Sequence, residues 1–231
     1  MDTALNLIAP FFALIGCGYL AGRFNLVPPA GIAGLNMFVF WFALPPHLFR
    51  PMAARTGDES IDPSFLLAYG VAGLALLGLV VLVSRVLLRL DLGSATLNGL
   101  GSVFPNTGYL GVPMIPAILG APAALPVALT LVVDLSLVVP LAVLLIVLDR
   151  GVEAGRLVKQ IGKEVLLNPL ILAMLAGLAV GSLGIPVPAL VDSVLVLFGN
   201  AAGPCALFAV GATLAGQRIG RGAGSVALML V

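Results

Sequence analysis

The sequence predicts an all-α polytopic membrane protein, and three observations predict it. Hydrophobic residues make up 61% of the 231 positions and charged residues only 9%, against roughly 25% charged in a soluble domain; mean hydropathy is +1.18. Apolar windows long enough to cross a bilayer, about 20 residues each, follow one another with short joints. Prolines and glycines recur at a fixed spacing, which points to two related halves. The net charge of +1 selects no acidic partner, and nothing in the charge pattern calls for nucleic acid. Cys17 and Cys205 both lie in apolar spans, far from any disulfide or metal-ligand spacing. No cofactor is implied.

The windows run over residues 4–22, 30–50, 64–89, 94–120, 122–148, 165–183 and 188–215, and an eighth begins near Ser225 and stops at Val231. The first lacks a positive leader and is followed by Arg23, so it reads as a retained helix rather than a signal peptide. Turn-forming or charged groups mark the joints: Pro28-Pro29, Asp58-Glu59, Asp91-Leu92-Gly93, Ala121-Pro122 and Pro186-Val187-Pro188. Only residues 149–164 read as a polar linker. Residues 104–113, Phe-Pro-Asn-Thr-Gly-Tyr-Leu-Gly-Val-Pro, interrupt the fourth window. Pro105 lacks an amide proton and should end one half-helix. Gly108, Gly111 and Asn106 accommodate the irregular backbone that follows, and Pro113 stands where the second half resumes. At membrane depth such backbone is tolerated only where protein or a wet cavity satisfies its polar groups.

Orientation follows from the basic residues. Arg23, Arg85, Arg89, Arg150, Arg156, Lys159, Lys163, Arg218 and Arg221 fall on one side, and only Arg50 and Arg55 on the other. The richer side should be cytoplasmic, which places the amino terminus outside the inner or plasma membrane. Pro10, Gly18, Gly22, Pro29 and Pro45 recur 159 residues later as Pro169, Gly177, Gly181, Pro188 and Pro204; Ala43, Leu48 and Phe49 match Ala202, Leu207 and Phe208 at the same spacing. Five helices separate the copies, so they cross in opposite senses, an inverted repeat of the kind that supports alternating access. The expected organisation is a first five-helix repeat over 1–148, a cytoplasmic linker over 149–164, and an incomplete second repeat over 165–231 holding helices six, seven and the start of eight. On that spacing the second crossover would fall beyond Val231, so these residues are expected to be less than the whole transporter.

Three stretches resemble the auxin efflux carrier family: Pro10 to Gly22 with Phe42-Ala43-Leu44-Pro45-Pro46-His47-Leu48-Phe49; Pro105-Asn106-Thr107-Gly108-Tyr109-Leu110-Gly111-Val112-Pro113; and Asn168-Pro169-Leu170 through Gly203-Pro204-Cys205-Ala206-Leu207-Phe208 to Gly211-Ala212-Thr213-Leu214. The resemblance covers nearly the whole chain. It implies ten helices in two inverted repeats with crossovers in helices four and nine, transport of small organic anions, with malonate- or malate-type permeases among the bacterial relatives, and carboxylate binding at the crossover asparagine, here Asn106.

The residues give that site a chemistry of their own. The half-helix starting near Gly108 presents unpaired amides and the positive end of its dipole, which favour an anion. Asn106 and Thr107 add side-chain hydrogen bonds, and Tyr109 is a candidate cavity-wall residue. Asn106 can equally cap the half-helix. Asp134 is the one ionisable residue deep in a span, where an aspartate costs about 2.5–3.5 kcal/mol on insertion scales. It reads as a substrate-cavity or proton-coupling residue, with Ser136, Asn98 or backbone freed at the crossover as alternative hydrogen-bond partners. Asp192 reads as a helix-start cap, His47 as a structural histidine, and Asn36, Asn200 and Thr213 as cavity-lining or helix-joining polar groups. Glycines and alanines across 171–184 and 199–216 read as permitting close helix approach.

The chain therefore reads as a secondary transporter of small organic carboxylates, embedded in the bilayer, with proton or sodium coupling and a homodimer as further possibilities. A cation-coupled or cation-exchanging transporter and a non-transporting membrane subunit are the competing readings. With one histidine, one central aspartate and no H-E-x-x-H, the sequence offers no catalytic constellation.

Overall fold

A computed structural model describes residues 2–54, 63–148 and 154–216, with side chains described from residue 8 in the first stretch and from residue 159 in the last. These residues form α-helices and no strand: α1 Asp2–Arg23, α2 Pro29–Phe38, α3 Leu44–Ala53, α4 Pro63–Val86, α5 Leu92–Val103, α6 Val112–Leu119, α7 Ala124–Val133, α8 Val139–Leu148, α9 Ala154–Leu166, α10 Pro169–Ser182 and α11 Ala189–Gly216. Among the described residues, four continuous stretches are long and apolar enough to cross a membrane: Pro29–Ala53, Pro63–Val86, Ala121–Leu148 and Ala189–Gly216; Lys159–Leu166 with Pro169–Ser182, bent by 53°, makes a fifth if counted as one span. The protein is a multi-pass membrane protein. Of the other windows, 4–22 falls within α1, Asp2–Arg23, and 94–120 is broken. The window from Ser225, Arg55, Asp58-Glu59, Arg150, Glu153, Arg218 and Arg221 lie outside the described residues.

Proline sets much of the local structure. It opens α2, α4 and α10, where the missing amide costs nothing. Inside helices it leaves a second signature. The π-helical turns Val39–Ala43, Thr107–Gly111 and Asp134–Val138 each end two residues before a proline, at Pro45, Pro113 and Pro140. A proline cannot donate to the carbonyl one turn back and its ring crowds it, and a turn widened by one residue relieves both. Such turns concentrate at functional sites. Pro10 and Pro204 sit inside α1 and α11 with no such turn.

The helices cluster into two compact units, each discontinuous in sequence. The first gathers α1 to α3, Asn106–Ala128, α10 and α11; the second gathers α4, α5, residues 129–148 and α9. Both expected repeats contribute to the first unit, so packing does not follow the repeat boundaries.

Within the first unit, α1 packs on α11 and α10 on α3. Gly18 lies against the backbone carbonyl of Phe208, and Gly177 against that of Phe49. These are the same contact with the two copies exchanged, since both pairs stand 159 residues apart. A Cβ on Gly22 would sit 2.7 Å from the Ala212 oxygen, and one on Gly181 2.5 Å from the Met52 oxygen. Backbones at this separation admit only glycine, and the small-residue reading of 171–184 and 199–216 holds at Gly177, Gly181 and Gly211, the last pressed on the Ile15 carbonyl.

In the second unit α4 packs on α5, and α5 on α8. Gly99 lets α5 approach α4, where a Cβ would meet Leu77 at 2.9 Å. Asp91 caps α5 by accepting from the Ser94 amide at 2.9 Å. From Ala154 the stretch read as a polar linker is the helix α9, which exposes Lys159, Gln160, Lys163 and Glu164.

Candidate functional site

The break expected at Pro105 is present. α5 ends at Val103, and Phe104 is extended at φ −82° and ψ 101°, the conformation a following proline imposes. Helical bonding resumes from Asn106, whose carbonyl accepts from the amides of Leu110 at 3.0 Å and Gly111 at 3.1 Å. The amides of Thr107, Gly108 and Tyr109 precede the first intrahelical bond and so lack a partner within their own helix. The exposed Asn106 side chain makes no cap hydrogen bond, so in this state it does not cap the half-helix. Thr107 is buried, Tyr109 half-buried, and Gly108 borders open space, with nothing within 4 Å of an added Cβ. Gly111 is buried and Pro113 half-buried, with a Cβ on Gly203 of α11 only 2.9 Å from Pro113. Asn106 to Pro113 thus form one segment of the first unit.

Pro105 and Asp134 belong to the second unit. Asp134 is fully buried at the start of the π turn Asp134–Val138, and Tyr69 of α4 donates its hydroxyl to the carboxylate, with oxygens at 3.1 and 3.2 Å. This corrects the expected partners. Ser136 is exposed, and the Asn98 amide turns to the Ser84 hydroxyl at 3.4 Å. Gly70, next to Tyr69, faces Val133 and Leu137, and a Cβ there would meet them only at ordinary contact distances of 3.6 and 3.5 Å.

A cavity of about 590 Å³ opens within the first unit, inside the range of small-molecule sites. Val112 and Pro116 from the later turns of the broken helix line it, whereas Asn106, Thr107, Gly108 and Tyr109 do not. Its polar groups are Arg50, Asp192, His47 and Asn200. Arg50 Nε donates to Asp192 Oδ1 at 2.8 Å, and Nη2 reaches Oδ2 at 3.4 Å. Asp192, expected to cap its own helix, instead bridges α11 to α3. His47 Nδ1 lies 3.0 Å from the Gly199 carbonyl; a carbonyl only accepts, so Nδ1 carries the proton and the ring joins α3 to α11. That structural reading of His47 holds. Pro204 leaves the Asn200 carbonyl, one turn earlier, without its helical donor. The side chains of Asn36 and Thr213 bond back to the carbonyls of Ile32 and Ala209 in their own helices.

The residues missed by sequence reasoning are Tyr69, as partner to Asp134, and the Arg50–Asp192 pair. Tyr69 carried one signal, a hydroxyl inside an apolar span. Arg50 carried another, a lone cation at the end of a span.

The family described as membrane transport protein matches residues 3–227. The chain is 30% identical to the "Putative malonate transporter" of Rhizobium meliloti (strain 1021) over 217 residues, which are 93% of this chain and 68% of that protein. It is 32% identical over 110 residues to the lysosomal cholesterol signaling protein of Mus musculus, covering 46% of this chain and 12% of that one. With a broken helix in a multi-pass bundle and a family match over nearly its whole length, the chain belongs to the membrane transport protein family, the auxin efflux carriers.

Proposed function

We propose that the protein is a secondary transporter of small organic carboxylates working by alternating access. The observation that carries this is the half-helix beginning at Asn106: three amides without a partner in their helix, beside an asparagine side chain not used as a cap. Amides and a helix dipole hold an anion without a full positive charge, so release stays easy. The name of the Rhizobium relative supports a dicarboxylate such as malonate as cargo. The Tyr69–Asp134 pair is the candidate for proton coupling, because a buried carboxyl hydrogen-bonded by a hydroxyl can exchange a proton when its surroundings open. The basic-residue asymmetry supports an amino terminus outside the cell membrane.

The test is counter-transport of labelled malonate in vesicles. Asn106→Ala should weaken malonate binding by about 1.5–3 kcal/mol, roughly ten- to hundredfold, because it removes a hydrogen bond to a charged group. Asp134→Asn should change the pH dependence of transport more than the affinity. Wild-type affinity in the first variant removes Asn106 from the site, and no malonate movement by the wild type removes the carboxylate reading.

A further inference from the structure

We propose that the Arg50–Asp192 pair is a carboxylate-exchange site at the cavity of the first unit: Arg50 binds the carboxylate of an entering organic anion, and Asp192 is the internal competitor it displaces. The proposal rests on the carboxylate reading above and adds a second point of contact to it, away from Asn106.

Four observations carry it. Both side chains line the cavity and are about two-fifths exposed, at 41% and 44%. A carboxylate can therefore reach the guanidinium from the cavity without either partner first leaving a sealed interior. The geometry leaves the guanidinium half engaged: Asp192 is held through Nε and Nη2, while Nη1 carries two further N–H donors on a planar fork that matches a carboxylate. An incoming anion can bind at Nη1 first and take over as Asp192 swings away, so Arg50 is never left bare. The rest of the cavity is mostly apolar, with Val112, Pro116 and Ile185 in its wall, which suits the carbon skeleton of a small organic acid. Finally, Arg50 is one of only two basic residues that the sequence places on its side of the membrane. An anion arriving there meets little other positive charge.

The internal carboxylate gives the pair its purpose. A lone arginine on this wall would hold an anion strongly and slow its passage. With Asp192 as competitor, the anion gains only the difference between two carboxylates, and Asp192 restores the resting pair once the anion moves on. A purely structural ion pair, by contrast, would only clamp α3 to α11.

The two roles separate by the sign of the effect. Malonate binding to the purified protein is measured by calorimetry in a chloride-free buffer, with thermal melting as the check on folding. Asp192→Asn removes the competitor and keeps the shape, so malonate should bind several-fold tighter. Arg50→Gln should weaken binding at least tenfold, and the double variant should behave as Arg50→Gln. Arg50→Lys keeps the charge but loses the fork, and should fall between; it decides the case if Arg50→Gln fails to fold. Equal effects of Asp192→Asn and Arg50→Gln, in either direction, would show a clamp and overturn the proposal. If both leave affinity unchanged while Asn106→Ala weakens it, the exchange site is wrong and the carboxylate reading stands. If the wild type binds no malonate, both fall.

Discussion

Two helices of the first unit carry a proline at matched positions, Pro45 in α3 and Pro204 in α11, and they differ in what surrounds it. Before Pro45 the helix widens into the π turn Val39–Ala43; around Pro204, α11 runs on as an α-helix. The chemistry differs in the same direction. His47 and Arg50 lie on the first copy, and the residues 159 further on are Ala206 and Ala209. Asp192 and Asn200 on the second copy correspond to Ala33 and Trp41 on the first. Yet the glycine contacts that seat the helices are the same in both copies, Gly18 on Phe208 and Gly177 on Phe49. Positions 159 residues apart therefore keep the residues that set backbone approach, while the polar ones differ. Symmetry belongs to the scaffold, and the candidate site is built on the departures from it.

The largest effect should come from breaking the part that is shared. Gly18→Ala and Gly177→Ala each drive a methyl into a neighbouring backbone carbonyl, and no side chain can yield there. Overpacking of this kind costs about 1–3 kcal/mol or more. Both variants should lose stability by similar amounts in thermal melts in detergent, while Gly16→Ala and Gly34→Ala, with nothing within 4 Å of the new methyl, should not. Strongly unequal losses in the first two would end the claim that the copies share one packing geometry.

A smaller effect should follow from a polar residue of the second unit with no such twin. Tyr69→Phe removes the hydroxyl that reaches the buried Asp134 carboxylate at 3.1 and 3.2 Å. Leaving one partner of a buried hydrogen bond unmade costs about 1–3 kcal/mol. The double variant Tyr69→Phe with Asp134→Asn should be less destabilised than the sum of the single changes. Additive losses would show that the two side chains are not coupled.

What the sequence made legible divides along the same line. The break at Pro105, the matched glycines and the long apolar spans follow from residues whose backbone or solvation demands hold in any context. The pairs Arg50–Asp192 and Tyr69–Asp134 bring together residues 142 and 65 positions apart, which no local pattern specifies. The helix α9 lies between these cases: its charges mark the stretch as polar, and Leu157, Ile161 and Val165 keep helical spacing within it. So do the π turns. Each stands two residues before a proline, yet Pro204 shows that a proline inside a span does not compel one.

That last point yields the smallest predicted effect. Either Pro45 holds the π turn Val39–Ala43 in place, or the packing beyond it does. Returning this segment to α-helix would rotate Leu44, Leu48 and Met52 out of their sites, where they are 1%, 1% and 2% exposed. Emptying buried positions of that size costs about 2–5 kcal/mol each, more in sum than the roughly 3 kcal/mol a proline disfavours a regular helix. Packing should win. Pro45→Ala should therefore keep the π turn, melt within about 1 kcal/mol of the wild type, and leave malonate binding unchanged, because His47 and Arg50 stay in register with α11. A change of several kcal/mol, or loss of binding in a folded variant, would show that the proline itself sets the register of α3 and that the two copies differ by local chemistry rather than by what packs around it.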